Sequence, residues 1–317
     1  MLVPASGRPA LCVGSLVCDI SITGLDRFPI AEAEFSARSD VWHREPARLI
    51  AAGTAGNAAL ACAAIGGSTR LAGPVGVDLL GQTLRSAFAD GDVELAPTGN
   101  KSTGTHVIAN STEGLRQAFF FPGEHIELDA VPRAWARGQV LFSGLNLSVT
   151  RPITPGVIEL AVIAHDHGGL VALDIGQAGD DMLNFNELAE LERAVDVLIG
   201  SRYEWGLVLG ERPEMRMHRL RGIFPGHVIV KHGAEGLDLY SPGRRDPQRI
   251  AAAPVKERNP IGAGDAFAGG LLAAVNAGRP LEEACRWGSA AGAAAVESTG
   301  GPAAIEFERV RQLYALV

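Results

Sequence analysis

The sequence predicts an α/β fold organised around a mostly parallel central sheet. Two observations predict it: short β-rich runs recur along the chain, and helix-length segments separate them. The β-rich runs are ALCVGS at 10–15, TRLAGPVG at 69–76, QVLFSG at 139–144, LVALDI at 170–175, VDVLIG at 195–200 and HVIVKHG at 227–233. Between them, the Ala-rich segment 55–65, the amphipathic 156–167 and the segment 281–297 have compositions that favour helix. No internal repeat at a fixed period is visible.

Two stretches break that rhythm; they lie beside early βα units and read as insertions. Residues 33–44 show partial polar/apolar alternation, and 105–121 reads as a hairpin around Ser111, Thr112, Glu113 and Gly114. Such strands form either a β-lid over the mouth of the main sheet or ordinary edge strands of that sheet.

The composition bounds the function. The chain has 317 residues, of which 47% are hydrophobic and 20% charged, so it buries a large core and is not a disordered chain. A formal net charge of -8 disfavours a general polyanion-binding surface, which argues against nucleic acid as main partner. Cys12, Cys18, Cys62 and Cys285 lie in apolar or Ala-rich surroundings without a C-x-x-C or a nearby His, and read as small core residues. The opening residues contain no signal-like apolar run, and no later stretch is long and apolar enough to span a membrane, so a reduced, cytoplasmic setting is expected.

Two constellations carry chemistry. In the first, Asn259-Pro260-Ile261-Gly262-Ala263-Gly264-Asp265 enters an Ala/Leu-rich helix that stops at Gly278 and Pro280. Glycines in a first turn admit close approach of a ligand, and the unpaired N–H groups there, with the helix dipole, favour an anion such as a transferring phosphoryl group. Asp265 in the same turn is suited to accept a proton from an attacking hydroxyl, although a Gly-x-Gly-Asp run is also a common way to start a helix. In the second, residues 52–67 place Gly53, Thr54, Gly56 and Asn57 at another helix start, where Asn57 offers a donor and an acceptor to hydroxyls. Asp19 follows the first β-run, at the strand end where open α/β sheets bind ligands, and accepts from vicinal hydroxyls or merely forms a turn.

Together these segments resemble the ribokinase-like (PfkB) carbohydrate kinase family, over roughly 10–315. The early signature of that family looks like 52–67 and its late signature like 259–267, in the same order and at a similar separation. The resemblance implies a three-layer αβα fold with a mostly parallel sheet and a small β-lid. It implies one kinase domain over 1–317, with lid segments at approximately 20–48 and 103–124. It also implies an ATP-dependent phosphotransferase acting on a hydroxymethyl group of a sugar or sugar-like alcohol. Asp265 would be the catalytic base, Gly262, Ala263 and Gly264 the anion-hole backbone, and Asp19, Gly53 and Asn57 the holders of the sugar. Glu204, in a Ser201-Arg202-Tyr203-Glu204 counterpart of the family's Asn-x-x-Glu element, would serve a hydrated Mg²⁺. Lys231, Gly233 and Gly236 look like the nucleotide loop.

The chain departs from the family pattern at three places. Asn259 stands where many members carry an Asp that helps bind a monovalent cation, which leaves potassium dependence open. Its Asn-Pro opening resembles the phosphosugar branch, yet Thr54 occupies a position where phosphosugar kinases and ribokinases commonly have Lys. The loss of that cation favours a non-phosphorylated sugar. Ser201 replaces the Asn of the Asn-x-x-Glu element. Arg116 and the Phe119–Phe121 run on the expected lid are candidates for specificity, and those rings also suit packing.

Two further readings stand beside the sugar kinase: a nucleoside kinase of the same fold, whose base the Phe run would stack, and a sugar-binding regulatory protein without catalysis. A dehydrogenase is disfavoured because VGSLVCD at 13–19 lacks a Gly-x-Gly-x-x-Gly. Apolar residues on the expected lid (Val41, Trp42, Val107, Ile108 and Phe119 to Phe121) predict a homodimer formed through it.

Overall fold

The computed structural model describes residues 1–5, 7–25, 45–97, 101–113, 116–149, 153–176, 185–210 and 213–317. The chain opens with β1 (Ala10–Gly14), β2 (Val17–Leu25) and β3 (Arg48–Ala52), followed by α1 (Thr54–Gly66), β4 (Thr69–Ala72), α2 (Leu79–Asp90) and β5 (Val93–Leu95). It continues through β6 (Thr105–Ser111), β7 (Arg116–Phe121), β8 (Val140–Ser143), α3 (Ile153–Asp166), β9 (Val171–Asp174), α4 (Phe185–Glu190) and β10 (Val197–Ser201). The C-terminal part contains α5 (Arg202–Leu209), α6 (Pro213–Ile223), β11 (His227–Lys231), β12 (Leu237–Tyr240), β13 (Gln248–Ile250), α7 (Ala263–Asn276), α8 (Leu281–Glu297) and α9 (Phe307–Tyr314).

Among the described residues the strands form two sheets. The larger has nine strands in the order β13-β12-β11-β10-β9-β8-β1-β4-β5. All neighbours from β11 to β5 are parallel, and only β12 runs against the rest, pairing antiparallel with β11 on one side and β13 on the other. Its central strands are apolar on both faces because both are covered, and alternate residues feed two cores. Cys12, Leu141 and Ile199 face the core under α1, α7 and α8, whereas Leu11, Val13, Phe142 and Leu198 face the core under α3 and α5. This is the three-layer arrangement expected from the sequence.

The second sheet has four strands in the order β3-β2-β6-β7 and does not join the first. The expected hairpin is present as β6 and β7, paired antiparallel from Thr105↔Phe121 to Asn110↔Arg116. Of the expected lid segments, β2 begins slightly earlier, at Val17, and β3 ends later, at Ala52. The alternating stretch 33–44, with Val41 and Trp42, lies outside the described residues. The short strands β5, β12 and β13 were not anticipated; the last two extend the sheet edge past the nucleotide-loop segment. All four cysteines are free and buried, and burial pushes the Cys62 thiol up to about 11.

Candidate active site

The carboxyl ends of adjacent parallel strands collect the polar groups, as expected for an open α/β sheet. Ser143 ends β8, Asp174 ends β9, Ser201 ends β10 and Lys231 ends β11; Ser143 is in register with Gly14 and Asp174, and Ser201 with Lys231. The order β8-β1-β4 places β1 where the chain's direction of travel across the sheet reverses. From that point β1 hands the chain to β2, which carries Asp19.

Two helices bring the signatures together. Helices α1 and α7 pack through small residues, with Gly269 lying against Ala58 and Ala61. That contact places the first turn of α1 beside the first turn of α7, where the Asn57 amide Nδ2 donates to Asp265 Oδ2 at 2.8 Å. Gly262 is the N-cap of α7 in the left-handed region, φ 77°, a conformation costly for a residue with a side chain. It leaves the N–H groups at the start of α7 without intrahelical partners. Gly53, at the N-cap of α1, has φ 95° and lies so close to Ser15 that a Cβ would sit 2.4 Å from its carbonyl oxygen.

The charges beneath α7 form one group. Lys231 Nζ donates to Asp174 Oδ2 at 3.1 Å, with side chains 14% and 3% exposed. The same ammonium would lie 3.1 Å from a Cβ at Gly264, next to Asp265. Asp174 was not singled out from the sequence; the signal was an acidic residue closing an otherwise apolar strand. Burial raises its carboxyl, Lys231 opposes that, and Glu204 adds to it. Burial works against the Lys231 ammonium, but Asp174 and Glu204 outweigh it and hold it above the ordinary lysine value. Asp265 as a residue is half-buried, and loss of solvation at its carboxyl pushes it up to about 7; the Asn57 hydrogen bond and Lys231 lower it, while Asp174 and Glu204 raise it further.

Glu204 divides its two oxygens. With Ser201 it forms a capping box at the start of α5: Ser201 Oγ accepts from the Glu204 N–H at 3.1 Å, and Glu204 Oε2 accepts from the Ser201 N–H at 2.5 Å. The Ser at 201 therefore has a local role as a helix cap. Oε1 accepts no hydrogen bond from the described residues and lies beside Gly176, as does Asp174 Oδ1.

The remaining candidates are distributed around this centre. Among the described residues, Thr54 Oγ1, Ser143 Oγ and Asp19 Oδ1 are buried without a hydrogen-bond partner, a cost that a polar ligand would remove. Asp19 stands on β2 opposite His106 of β6, whose Nδ1 is 3.5 Å from Asp19 Oδ1, and His106 is opposite Phe120 of β7. The His106 and Phe120 rings meet edge to face at 5.7 Å. Nothing local marks His106, which only the strand register brings to Asp19. Gly233 and Gly236 close the loop after β11, through the Gly236 N–H to the Gly233 carbonyl and the His232 N–H to the Gly236 carbonyl. Asn259 Oδ1 accepts from the Ile261 N–H at 3.1 Å, within the segment leading to Gly262. Arg116 is exposed at the Asn110 end of the hairpin, away from the Thr105 end that pairs with Cys18, and meets none of the other candidates.

The pfkB family carbohydrate kinase model matches residues 12–307. A nucleoside kinase of Methanothermobacter thermautotrophicus is 26% identical over 306 residues, spanning 92% of this chain and 91% of the relative. Among solved structures, a ribokinase of Thermotoga maritima superposes with a TM-score of 0.78 at 20% identity, covering 97% of this chain and 99% of the other. A ribokinase of Arabidopsis thaliana complexed with ribose and ATP superposes with a TM-score of 0.75 at 23% identity, covering 98% and 99%. At these identities the structural likenesses establish the fold.

Proposed function

Because the chain belongs to the pfkB family of carbohydrate kinases, we propose that it transfers the γ-phosphoryl group of ATP to a hydroxymethyl group of a sugar or sugar-like alcohol, with Asp265 as base. The observation that carries this reading is the Asn57–Asp265 hydrogen bond at the N-terminus of α7. It sets a carboxylate beside N–H groups that have no partner within the helix, the two functions that phosphoryl transfer to an alcohol requires. The hydroxyl oxygen forms the new bond to the γ-phosphorus as the bond to the β-phosphate bridging oxygen breaks. Asp265 takes the hydroxyl proton, and ADP leaves. The N–H groups at Gly262, Ala263 and Gly264 stabilise the charge spread over the transferring group.

Asp19, Gly53, Thr54 and Asn57 hold the sugar, and the buried Asp19 Oδ1 and Thr54 Oγ1, which have no hydrogen bond among the described residues, support this assignment. Lys231, Gly233, Gly236 and Asn259 serve the nucleotide side. Mg²⁺ fits as a hydrated ion: no group of three or more His, Cys, Asp or Glu among the described residues is arranged to cage a metal, and the free Glu204 Oε1 supplies one carboxylate oxygen, the rest coming from water and phosphates. When bound, the ion neutralises charge on the phosphates. Thr54 in place of a cation favours a non-phosphorylated acceptor.

A second acceptor class, nucleosides, has its own support. The His106–Phe120 pair beside Asp19 offers an aromatic surface next to a carboxylate suited to ribose hydroxyls, and one relative is named a nucleoside kinase. Four free, buried cysteines accord with a reduced, cytoplasmic location. No helix among the described residues is long and apolar enough to cross a membrane. The test is ADP release from ATP over a panel of sugars, sugar acids, sugar phosphates and nucleosides. Turnover on a neutral sugar or nucleoside supports the reading, exclusive turnover of sugar phosphates contradicts the acceptor assignment, and ATP-independent sugar binding without turnover identifies a regulatory protein.

A further inference from the structure

We infer that Lys231 and Asp174 are positioning residues of opposite effect for the base Asp265: the ammonium favours its carboxylate form, the buried Asp174 carboxylate opposes it, and the hydrogen bond between the two fixes the ammonium in place. The inference rests on the reading of Asp265 as base and gives Lys231 a task beyond contact with phosphate.

The geometry brackets the base. Lys231 Nζ borders Gly264, the residue before Asp265, and lies 5.9 Å from the ring centroid of Phe267, two residues after it. Its stem comes from the end of β11 and its partner Asp174 from the end of β9, on either side of β10. Two rigid strands, rather than a loop, therefore hold the pair under the first turn of α7. With side chains 14% and 3% exposed, neither charge is screened as a surface ion would be. The charged groups acting on Asp265 are Asp174 and Glu204, which disfavour its ionisation, and Lys231, which favours it, while the neutral Asn57 donates from α1. Among the described residues Lys231 is the one cation of this group, so its removal leaves the base with two carboxylates and without their opposing side chain.

Removing either member of the pair therefore moves the base in opposite directions. The experiment is kcat/KM against pH at fixed Mg-ATP for wild type, Lys231→Met, Lys231→Arg and Asp174→Asn, with ATP Kd by calorimetry and folding by thermal melts. The dependence of kcat/KM for the acceptor reports the enzyme form that the acceptor meets, before it binds. Lys231→Met should move the acid limb up by about one pH unit or more, and Asp174→Asn should move it down, the size expected when a close charge is removed. Lys231→Arg should keep the limb near wild type. If Lys231→Met does not fold, Lys231→Gln gives the same sign.

Limbs that stay fixed, or move the same way in both variants, overturn the inference. So does a Lys231→Met effect confined to ATP Kd, which would make the residue a phosphate ligand only. Asp265→Asn, measured alongside, separates the two levels. If that variant stays active the base assignment fails, whereas if it is inactive and the limbs do not diverge only the role of the pair fails.

Discussion

The Asn57 side-chain amide donates to Asp265 Oδ2 across 2.8 Å, joining residues 208 positions apart in the chain. A hydrogen bond to the charged form stabilises the carboxylate, and in its absence the Asp265 carboxyl would stand higher than about 7. A base must be ionised to act, so wild-type activity should fall as pH drops through the neutral region. Asn57→Ala should shift that fall to higher pH and lower kcat/KM at pH 7 by about tenfold, in keeping with a hydrogen bond to a charged group. A pH–rate profile checks this; an unmoved acid limb would mean that the contact does not bear on the base.

Gly53 has φ 95°, and a Cβ there would meet the Ser15 carbonyl oxygen at 2.4 Å. Gly53→Ala should therefore lower stability by about 1–3 kcal/mol through backbone strain, and weaken acceptor binding as the start of α1 moves. Denaturant unfolding and acceptor titration read the two effects, and an unchanged unfolding midpoint would contradict the first.

The fold was legible because the central strands are buried on both faces and so appear as unbroken apolar runs, and because α7 and α8 are bounded by Gly278 and Pro280. Segment 281–297 was expected as helix and is α8 from end to end. The pairing of β2 with β6 was not legible, since parallel register between strands some eighty residues apart leaves no local trace. His106 therefore gave no warning of its place beside Asp19. Asp174 closes an apolar strand, and only the register of β9 with β10 and β11 reveals Lys231 as its partner. The Asn-x-x-Glu likeness points to Glu204 as a metal carboxylate but not to its capping box with Ser201, which engages one oxygen in starting α5.

The side-chain oxygen of Asn259 accepts from the Ile261 N–H at 3.1 Å and carries no charge. The turn before Gly262 is thus closed by the chain itself. Exchanging potassium for sodium or a large organic cation at constant ionic strength should change turnover by less than about twofold, since a neutral amide is a weak substitute for a carboxylate as a cation ligand. Activation of tenfold or more specific to potassium would contradict this expectation.

One face of the second sheet carries Leu49, Ile20, Val107 and Phe119 in a cross-strand row, with Phe121 beside it. Leu49, Phe119 and Phe121 are 50%, 59% and 50% exposed. The same row on a second copy would cover it in a two-fold dimer. Sedimentation at micromolar concentration should show a dimer, and Phe119→Ser with Phe121→Ser should shift it toward monomer. A wild-type monomer at every concentration would remove the proposal.

Asp265→Asn is the sharpest probe of the base, because it keeps the size of the side chain and a hydrogen-bonding partner for Asn57 but cannot act as a carboxylate base. The measurement is kcat on the best acceptor of the panel, with ATP Kd determined separately by calorimetry. The expected result is a fall in kcat of about 10² to 10⁴ with ATP affinity little changed. A variant that keeps more than about half of the wild-type kcat, well short of any general-base contribution, would contradict the role assigned to Asp265.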